Sequence, residues 1–142
     1  MSKRIADFIA MYQRLDKDNL ALLDTIYHQD IHFIDPLHEL HGRDQLHQYF
    51  ANLYANIKDC SFTISDSFEC EEQAFLYWTM AFSHPRINGG REVLVNGHSL
   101  LRFEGEQVIM HRDYFDVGQL LYRNLPVIGG LIKFIEKRAS GV

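Results

Sequence analysis

The first 57 residues carry apolar side chains at helical spacing. Apolar residues at positions 5, 8, 9, 12 and 15 fall three or four apart, which predicts an amphipathic helix over residues 3–15 with Tyr12 on its buried side. Asp18 is placed to cap a second helix that turns the apolar side chains from Leu20 to Tyr27 inward. The same spacing at positions 46, 49, 50, 53 and 57 predicts a third helix over residues 44–57.

The pattern after this third helix is that of β-strands. Four stretches are rich in aromatic and branched residues, and the turn compositions "ECEEQ", "PRINGGRE" and "EGEQ" separate them: residues 60–68, 73–84, 92–104 and 107–116. They predict a four-stranded antiparallel meander, followed by a short helical tail over 118–138. The order indicates an α+β fold in which a curved sheet wraps around N-terminal helices, with one domain over 1–142 and its core at 3–117.

Composition narrows the class of protein. With 142 residues, 46% of them hydrophobic, the chain is long enough to bury one core. A net charge of -5 and scattered Lys and Arg residues disfavour a nucleic-acid partner. Cys60 and Cys70 form neither a CxxC nor a Cys/His zinc pattern, and the N-terminus is too polar for a signal peptide, so a reducing, cytoplasmic location is expected. No apolar run approaches the roughly 20 residues that span a bilayer.

Two apolar surfaces are expected to need a partner. Strand faces that point away from the helices carry large apolar side chains, which predicts a homodimer through the outer face of the sheet; they include Phe75, Tyr77, Leu94, Leu100 and Tyr114. The tail "NLPVIGGLIKFIEKRASGV" is too short to span a membrane and must cover the cavity mouth, a partner subunit or a bilayer surface. Its few basic residues favour a lid or a partner contact.

The segment "HFIDPLHELHG", residues 32–42, places an acidic residue beside apolar ones. Asp35 precedes Pro36, so it is either a turn residue whose carboxylate accepts backbone N–H groups or an acid or base that faces an apolar hollow. The sequence leaves both interpretations open. His38, His41 and His47 suit no standard metal site and are expected to be solvated residues at a rim, so neither a metal nor a cofactor is predicted.

The order of elements, with "FIDPLHELHGRDQLHQYFANL" and "LLRFEGEQVIMHRDYFD", resembles the nuclear transport factor 2 like superfamily over residues 3–117. That superfamily includes steroid delta-isomerases and SnoaL-like polyketide cyclases. The resemblance implies a cone-shaped pocket closed by the first helix. By analogy with the isomerases, it implies that Asp35 is a base acting alpha to a carbonyl and that Tyr12 donates to the enolate oxygen. Ser99 replaces their second oxyanion donor and is weaker, so steroid isomerase activity is not expected.

Strand alternation identifies further inward-facing residues. If Trp78 faces inward, so do the residues two and four positions further on, and Ser99 shares the apolar face of the next strand. On the last strand the face of His111 is taken as the inner one, from the resemblance and because Asp116 would then cap the tail helix. The predicted pocket is lined by Tyr12, Asp35, Trp78, Met80, Phe82, Ser99, His111, Asp113 and Phe115.

The predicted function is that of a SnoaL-like protein that binds a small hydrophobic molecule. It would act as a cofactor-independent isomerase, cyclase or lyase/hydrolase by carboxylate acid/base proton transfer, since His111 with Asp113 resembles the final-strand carboxylate of SnoaL-like cyclases. The alternative is a non-catalytic ligand-binding protein or a dimeric scaffold, in which these side chains are structural. The catalytic candidates are Asp35, Tyr12, His111 and Asp113, and the ligand-binding candidates are Trp78, Met80, Phe82, Ser99, Phe115 and His38.

Overall fold

The protein is built on one curved, open sheet of six strands. The structure is a computed structural model that describes residues 1–141. The predicted domain, residues 1–142, extends one residue past the described part. The strands are β1 (Tyr27–Ile34), β2 (Glu39–His41), β3 (Asp59–Cys70), β4 (Gln73–Ser83), β5 (Val93–Glu104) and β6 (Gln107–Phe115). Their order is β2-β1-β6-β5-β4-β3, and neighbours are antiparallel except β1 and β6, which run parallel with Phe33 opposite His111.

Five α-helices accompany this sheet within residues 1–141. They are α1 (Lys3–Arg14), α2 (Leu23–Ile26), α3 (Arg43–Asn56), α4 (Val117–Leu120) and α5 (Ile128–Ala139). The Ser2 side chain accepts a hydrogen bond from the Ile5 backbone N–H and so caps α1. Phe8 of α1 and Phe50 of α3 are buried in the same core as the inner residues of the strands. The predicted α+β class, with a sheet wrapped around helices, is confirmed.

The predicted strand count is wrong by two, although the meander of β3 to β6 is confirmed. Tyr27, predicted as a helical residue, instead begins β1, in which Ile31 and Phe33 are also buried. The register of β1 against β6 shifts between Tyr27 and His32. This irregularity interrupts the two-residue period that normally identifies a strand, and the polar residues 28–30 within it resemble a loop.

The second helix also begins later than predicted. A 3-10 turn over Leu20–Leu22 leads into the four-residue α2, and Asp18 caps neither element. Its backbone N–H donates to Asp16 Oδ1 at 2.8 Å, so the acidic residues here close a turn. The other predicted cap is correct, because the Asp116 carboxylate accepts a hydrogen bond from the Gly118 N–H at 2.8 Å at the start of α4.

The C-terminal tail folds back on itself through Arg123. The Arg123 guanidinium contacts Asp116 at 2.8 Å and Glu136 at 2.5 Å, which ties α5 to α4. Gly129 lies so close to the Arg123 backbone carbonyl that a Cβ there would come within 2.5 Å of the oxygen. The position of α5 therefore depends on a glycine contact as well as on two ion pairs.

The apolar face of α5 remains exposed. Its side chains at 128, 131, 134 and 135 are each at least half exposed, and no residue from 128 to 141 lines the cavity described below. α5 therefore does not cover the cavity, although Leu120 and Leu121 before it line the wall, and a partner contact stays a prediction. Within residues 1–141, no helix is long and apolar enough to cross a membrane.

Candidate functional site

One cavity lies between α1, α3 and the inner face of the sheet. Its volume is about 620 Å³ and its wall is mostly apolar, a size and character suited to a small organic molecule. All ten predicted site residues contribute to this wall: Tyr12, Asp35, His38, Trp78, Met80, Phe82, Ser99, His111, Asp113 and Phe115. The inner face predicted for β6 is therefore correct. The chemical roles of these residues stay predictions.

A chain of hydrogen bonds runs along one wall of the cavity. The hydroxyl of Tyr12 lies 2.5 Å from that of Tyr27, which in turn lies 2.8 Å from His111 Nδ1. On the opposite side of the imidazole ring, His111 Nε2 lies 2.6 Å from Asp113 Oδ1. The chain thus connects α1, β1 and β6. We call the following residues the β6 cluster: Tyr12, Tyr27, Ser99, His111 and Asp113.

Asp113 receives a second donor from β5. The Ser99 hydroxyl donates to the same Oδ1 at 2.5 Å, and Trp78 Nε1–H donates to Ser99 Oγ at 2.9 Å. Every contact is satisfied when the Tyr12 hydroxyl donates to Tyr27, the Tyr27 hydroxyl donates to His111 Nδ1 and His111 Nε2–H donates to Asp113 Oδ1. Within residues 1–141, Asp113 Oδ2 takes no hydrogen bond. The Asp113 residue itself lines the cavity.

Burial keeps the two tyrosines of this chain protonated. Desolvation raises the pKa of both Tyr12 and Tyr27 well above the ordinary value, and the negative charge of Asp113 raises it further. Their hydroxyls remain donors throughout the neutral pH range. The chain therefore fixes the orientation of His111 rather than supplying an ionised phenolate.

Asp35 forms a second polar point on the wall, in the turn between β1 and β2. Its side chain is only 3% exposed. Oδ1 accepts the Leu37 backbone N–H at 2.7 Å, and the Tyr49 hydroxyl donates to Oδ2 at 3.2 Å. His38 Nδ1 lies 3.0 Å from Oδ1. Asp35 therefore closes a turn and also lines the cavity, while its role as an acid or base stays a prediction. We call Asp35, His38 and Tyr49 the turn cluster.

Two members of these clusters are missing from the sequence prediction. The sequence pattern places Tyr27 in a helix, because polar Gln29 interrupts the alternation that would link Tyr27 to Ile31 and Phe33 on one strand face. Tyr49 was assigned to the buried face of the third helix without a role. Burial, followed by the charge of Asp35, raises the pKa of Tyr49 well above the ordinary value. The sequence signal that could have identified Tyr49 is a tyrosine on the helix that follows the Asp35-Pro36 turn.

The three histidines considered as a metal site in the sequence lie in different surroundings. His38 belongs to the turn cluster. His47 Nε2 lies 2.7 Å from Asp24 Oδ1, and His41 stacks on His32 with ring centroids 4.4 Å apart. The set His38, His41 and His47 therefore does not form a common site.

Both clusters present polar groups on an otherwise apolar surface. Asp113 offers a carboxylate oxygen with a fixed orientation, and the turn cluster offers a carboxyl, an imidazole and a phenol. Such a wall can receive an apolar molecule and move protons to or from its polar atoms. This cavity and the open curved sheet define an α+β protein of the nuclear transport factor 2 like type.

Comparison with protein families leads to the same class. The model of the SnoaL-like domain matches residues 8–111, and the chain belongs to this family. The match runs from the middle of α1 through the Asp35 turn to His111 in β6. The comparison with curated proteins found no match.

Solved structures with a similar fold come from several bacteria. A protein from Catenulispora acidiphila with a ketosteroid isomerase-like fold, in complex with trimethylamine, is 18% identical with a TM-score of 0.75, covering 89% of this chain and 95% of that one. An NTF2-like protein from Burkholderia pseudomallei is 16% identical with a TM-score of 0.77, covering 89% and 100%. An LEH-like epoxide hydrolase of M. tuberculosis is 13% identical with a TM-score of 0.65, covering 81% and 77%. At these identities the likeness concerns the fold alone.

Proposed function

We propose that the protein binds a small, largely apolar molecule in its cavity and transforms it by cofactor-free proton transfer. The observation that carries this proposal is the convergence of His111 and Ser99 on one oxygen of Asp113, which leaves the other oxygen to the cavity. Membership of the SnoaL-like family supports it, since cyclases, isomerases and hydrolases share the fold.

Asp113 is the base in this proposal. Its Oδ2 removes a proton from a ligand carbon next to a carbonyl, or from a water that attacks the ligand. The two donors on Oδ1 hold the carboxylate in one orientation, which places its free lone pairs before the ligand arrives. His111, Tyr27 and Tyr12 act through Asp113 and are positioning residues.

The turn cluster supplies the proton that the ligand gains. Asp35 is buried, whereas His38 is 45% exposed and contacts both Asp35 and solvent. A proton on this pair can pass to a ligand oxygen as Asp113 takes one from carbon or water. Asp113 then gives its proton to the product or to solvent, and His38 recovers one from solvent. Charge is balanced at every stage, and no redox partner is required.

Deuterium exchange of an apolar ketone tests this proposal without knowledge of the natural substrate. We expect the protein to accelerate loss of the α-protons of 2-tetralone in D2O, followed by NMR, and to hydrolyse styrene oxide if water is the preferred proton donor. Asp113→Asn should abolish whichever activity is present. Asp44→Asn, an exposed carboxylate outside the cavity, is the matched control and should keep full activity.

Ligand binding can be followed separately from turnover. Trp78 is the single tryptophan of the chain and lines the cavity, so its fluorescence should change as either probe binds. Binding to wild-type and Asp113→Asn protein without any exchange or hydrolysis would contradict catalysis on these substrates and favour the second candidate, a non-catalytic binder. The mostly apolar wall supports that second candidate equally well.

We also propose that the protein forms a homodimer through the outer face of its sheet. Four large apolar side chains are exposed there: Phe68, Tyr77, Leu94 and Tyr114. Tyr77, His98 and Tyr114 stack across three strands, which makes a continuous aromatic surface suited to self-association. Sedimentation should give a dimer at micromolar concentration, and Leu94→Lys should shift it to a monomer. A monomeric wild-type protein would contradict the proposal.

A further inference from the structure

The outer face of the β1–β2 hairpin carries a compact group of two histidines and a glutamate. His32 lies directly opposite His41 in the antiparallel register, and Glu39 lies two residues before His41 on the same face. Phe33 and Leu40, the pair next to them, belong to the core on the other side of the sheet. The three polar side chains therefore point away from the cavity and its two clusters.

The candidate ligand atoms are already close together. His32 Nε2 lies 2.8 Å from Glu39 Oε1, and His41 Nε2 lies 3.9 Å from the same oxygen. One ligand atom from each of the three residues lies within 4.8 Å of the others. Zinc binds nitrogen and oxygen at about 2.0–2.2 Å, so two ligands of one ion lie at most about 4 Å apart. The two imidazole rings are stacked, with centroids 4.4 Å apart, so metal binding requires them to turn about their side-chain torsions until both ring planes contain the ion.

The backbone beneath these residues is held in place. The His41 N–H donates to Gln45 Oε1 at 2.8 Å, and the next N–H, of Gly42, donates to the Ile31 carbonyl at 2.7 Å. The antiparallel pairing of β1 with β2 also holds the backbone of these residues. Only side-chain torsions of the ligands remain to be ordered, which lowers the entropy that metal binding costs.

We propose that His32, Glu39 and His41 bind a first-row divalent transition metal such as Zn²⁺ or Ni²⁺. Two imidazoles with one carboxylate favour these ions over Mg²⁺ and Ca²⁺, which prefer all-oxygen sites. Water completes the coordination, because His41 and Glu39 are exposed. The site goes beyond the proposed function and does not rest on it.

Metal binding at this position would join β2 to β1. These strands flank the turn that carries Asp35 and His38, so the ion would stiffen the segment that presents the turn cluster. It is a structural site on the far side of the sheet from the cavity and takes no part in the proton transfer.

Calorimetric titration of the full chain, free of any histidine tag, tests the proposal. With ZnCl2 and with NiCl2 we expect one equivalent to bind, and MgCl2 should give no heat. His32→Ala and His41→Ala should each weaken binding by about tenfold or more, since loss of a residue that merely orients a ligand typically costs that much. His47→Ala, whose ring bonds Asp24, is the matched control and should bind as wild type does.

Two further measurements keep the result unambiguous. Copper EPR of the wild-type protein should show two nitrogen ligands, and amide hydrogen exchange of residues 32–41 should slow when Zn²⁺ is added. Circular dichroism of the variants checks that they remain folded. The proposal is overturned if the wild type shows no binding up to about 1 mM metal, a free energy near −4 kcal/mol, or if a folded His32→Ala/His41→Ala double variant binds zinc as tightly as the wild type.

Discussion

The two polar clusters of the cavity use the same chemical groups and differ in how they are held. In the β6 cluster a carboxylate, an imidazole, two phenols and the Ser99 hydroxyl lie on α1 and three strands, and His111 is 2% exposed. In the turn cluster the same kinds of group lie on a turn and one helix, and His38 is 45% exposed. The first arrangement fixes positions, whereas the second keeps contact with solvent. The difference suits a fixed base and a donor that must be reprotonated.

Replacing the histidine of each cluster by alanine should give the largest difference in stability between the two clusters. We expect His111→Ala to lower the free energy of unfolding by about 3 kcal/mol, because it leaves a cavity and removes the partner of two buried groups. His38→Ala should cost less than about 1 kcal/mol, as for a half-exposed ion pair. Urea denaturation measures both. Equal losses would show that the two clusters are held alike.

Removing one phenol from each cluster is the next most informative change. Tyr27→Phe deprives both Tyr12 and His111 of a partner and should cost about 2 kcal/mol. Tyr49→Phe removes one long hydrogen bond to Asp35 and should cost about 1 kcal/mol or less. Thermal denaturation of the two variants side by side gives the comparison. A larger loss for Tyr49→Phe would reverse the proposed order.

Alkaline pH should lower the stability that the buried tyrosines of both clusters contribute. The folded pKa values of Tyr12, Tyr27 and Tyr49 lie above the unfolded value of about 10, so the stability they contribute is complete below that pH and is lost as pH rises. Each contributes a slope of up to about 1.4 kcal/mol per pH unit. Tyr12→Phe and Tyr49→Phe should each flatten the decline above pH 10 by about one such slope. Unchanged slopes in urea titrations at pH 9 to 11 would contradict this.

Two substitutions of Asp35 separate its role in the turn from its proposed role in proton transfer. Asp35→Asn keeps an oxygen for the Leu37 N–H and should change stability by less than about 0.5 kcal/mol, whereas Asp35→Ala loses the turn contact and should cost about 1 kcal/mol. Both variants should lose proton transfer to the ligand. An Asn variant with full exchange activity would leave Asp35 with the turn role alone.

Much of the fold and of the cavity wall could be predicted from the sequence because strand alternation and helical spacing are local. The sequence predicts that Ser99 faces inward from the apolar residues on its face of the strand, and it lines the cavity together with Trp78, whose inward orientation was the condition of the strand argument. The β1 strand could not be predicted in this way, because its register shift breaks the period and its partner β6 is remote.

Hydrogen-bond partners were the other gap. The sequence predicts that Tyr12 and Asp35 line the cavity, but it does not predict their hydrogen-bond partners. Tyr12 bonds Tyr27, whereas Asp35 bonds Leu37 and lies beside His38 and Tyr49. Which hydroxyl meets which acceptor depends on the curvature of the sheet and the depth of α1 and α3. Those are properties of the assembled fold, so spacing along the chain does not contain them.

The parallel pairing of β1 with β6 also determines when the cavity is assembled during folding. Tyr27 and His111 stand 84 positions apart, whereas β3 to β6 are joined by hairpins between neighbours in the chain. Local hairpins close early, and contacts across long loops form late. Tyr27→Phe should therefore speed unfolding and leave the refolding rate nearly unchanged in stopped-flow experiments, and slower refolding would contradict this order. A newly made chain thus has its meander before it has a site.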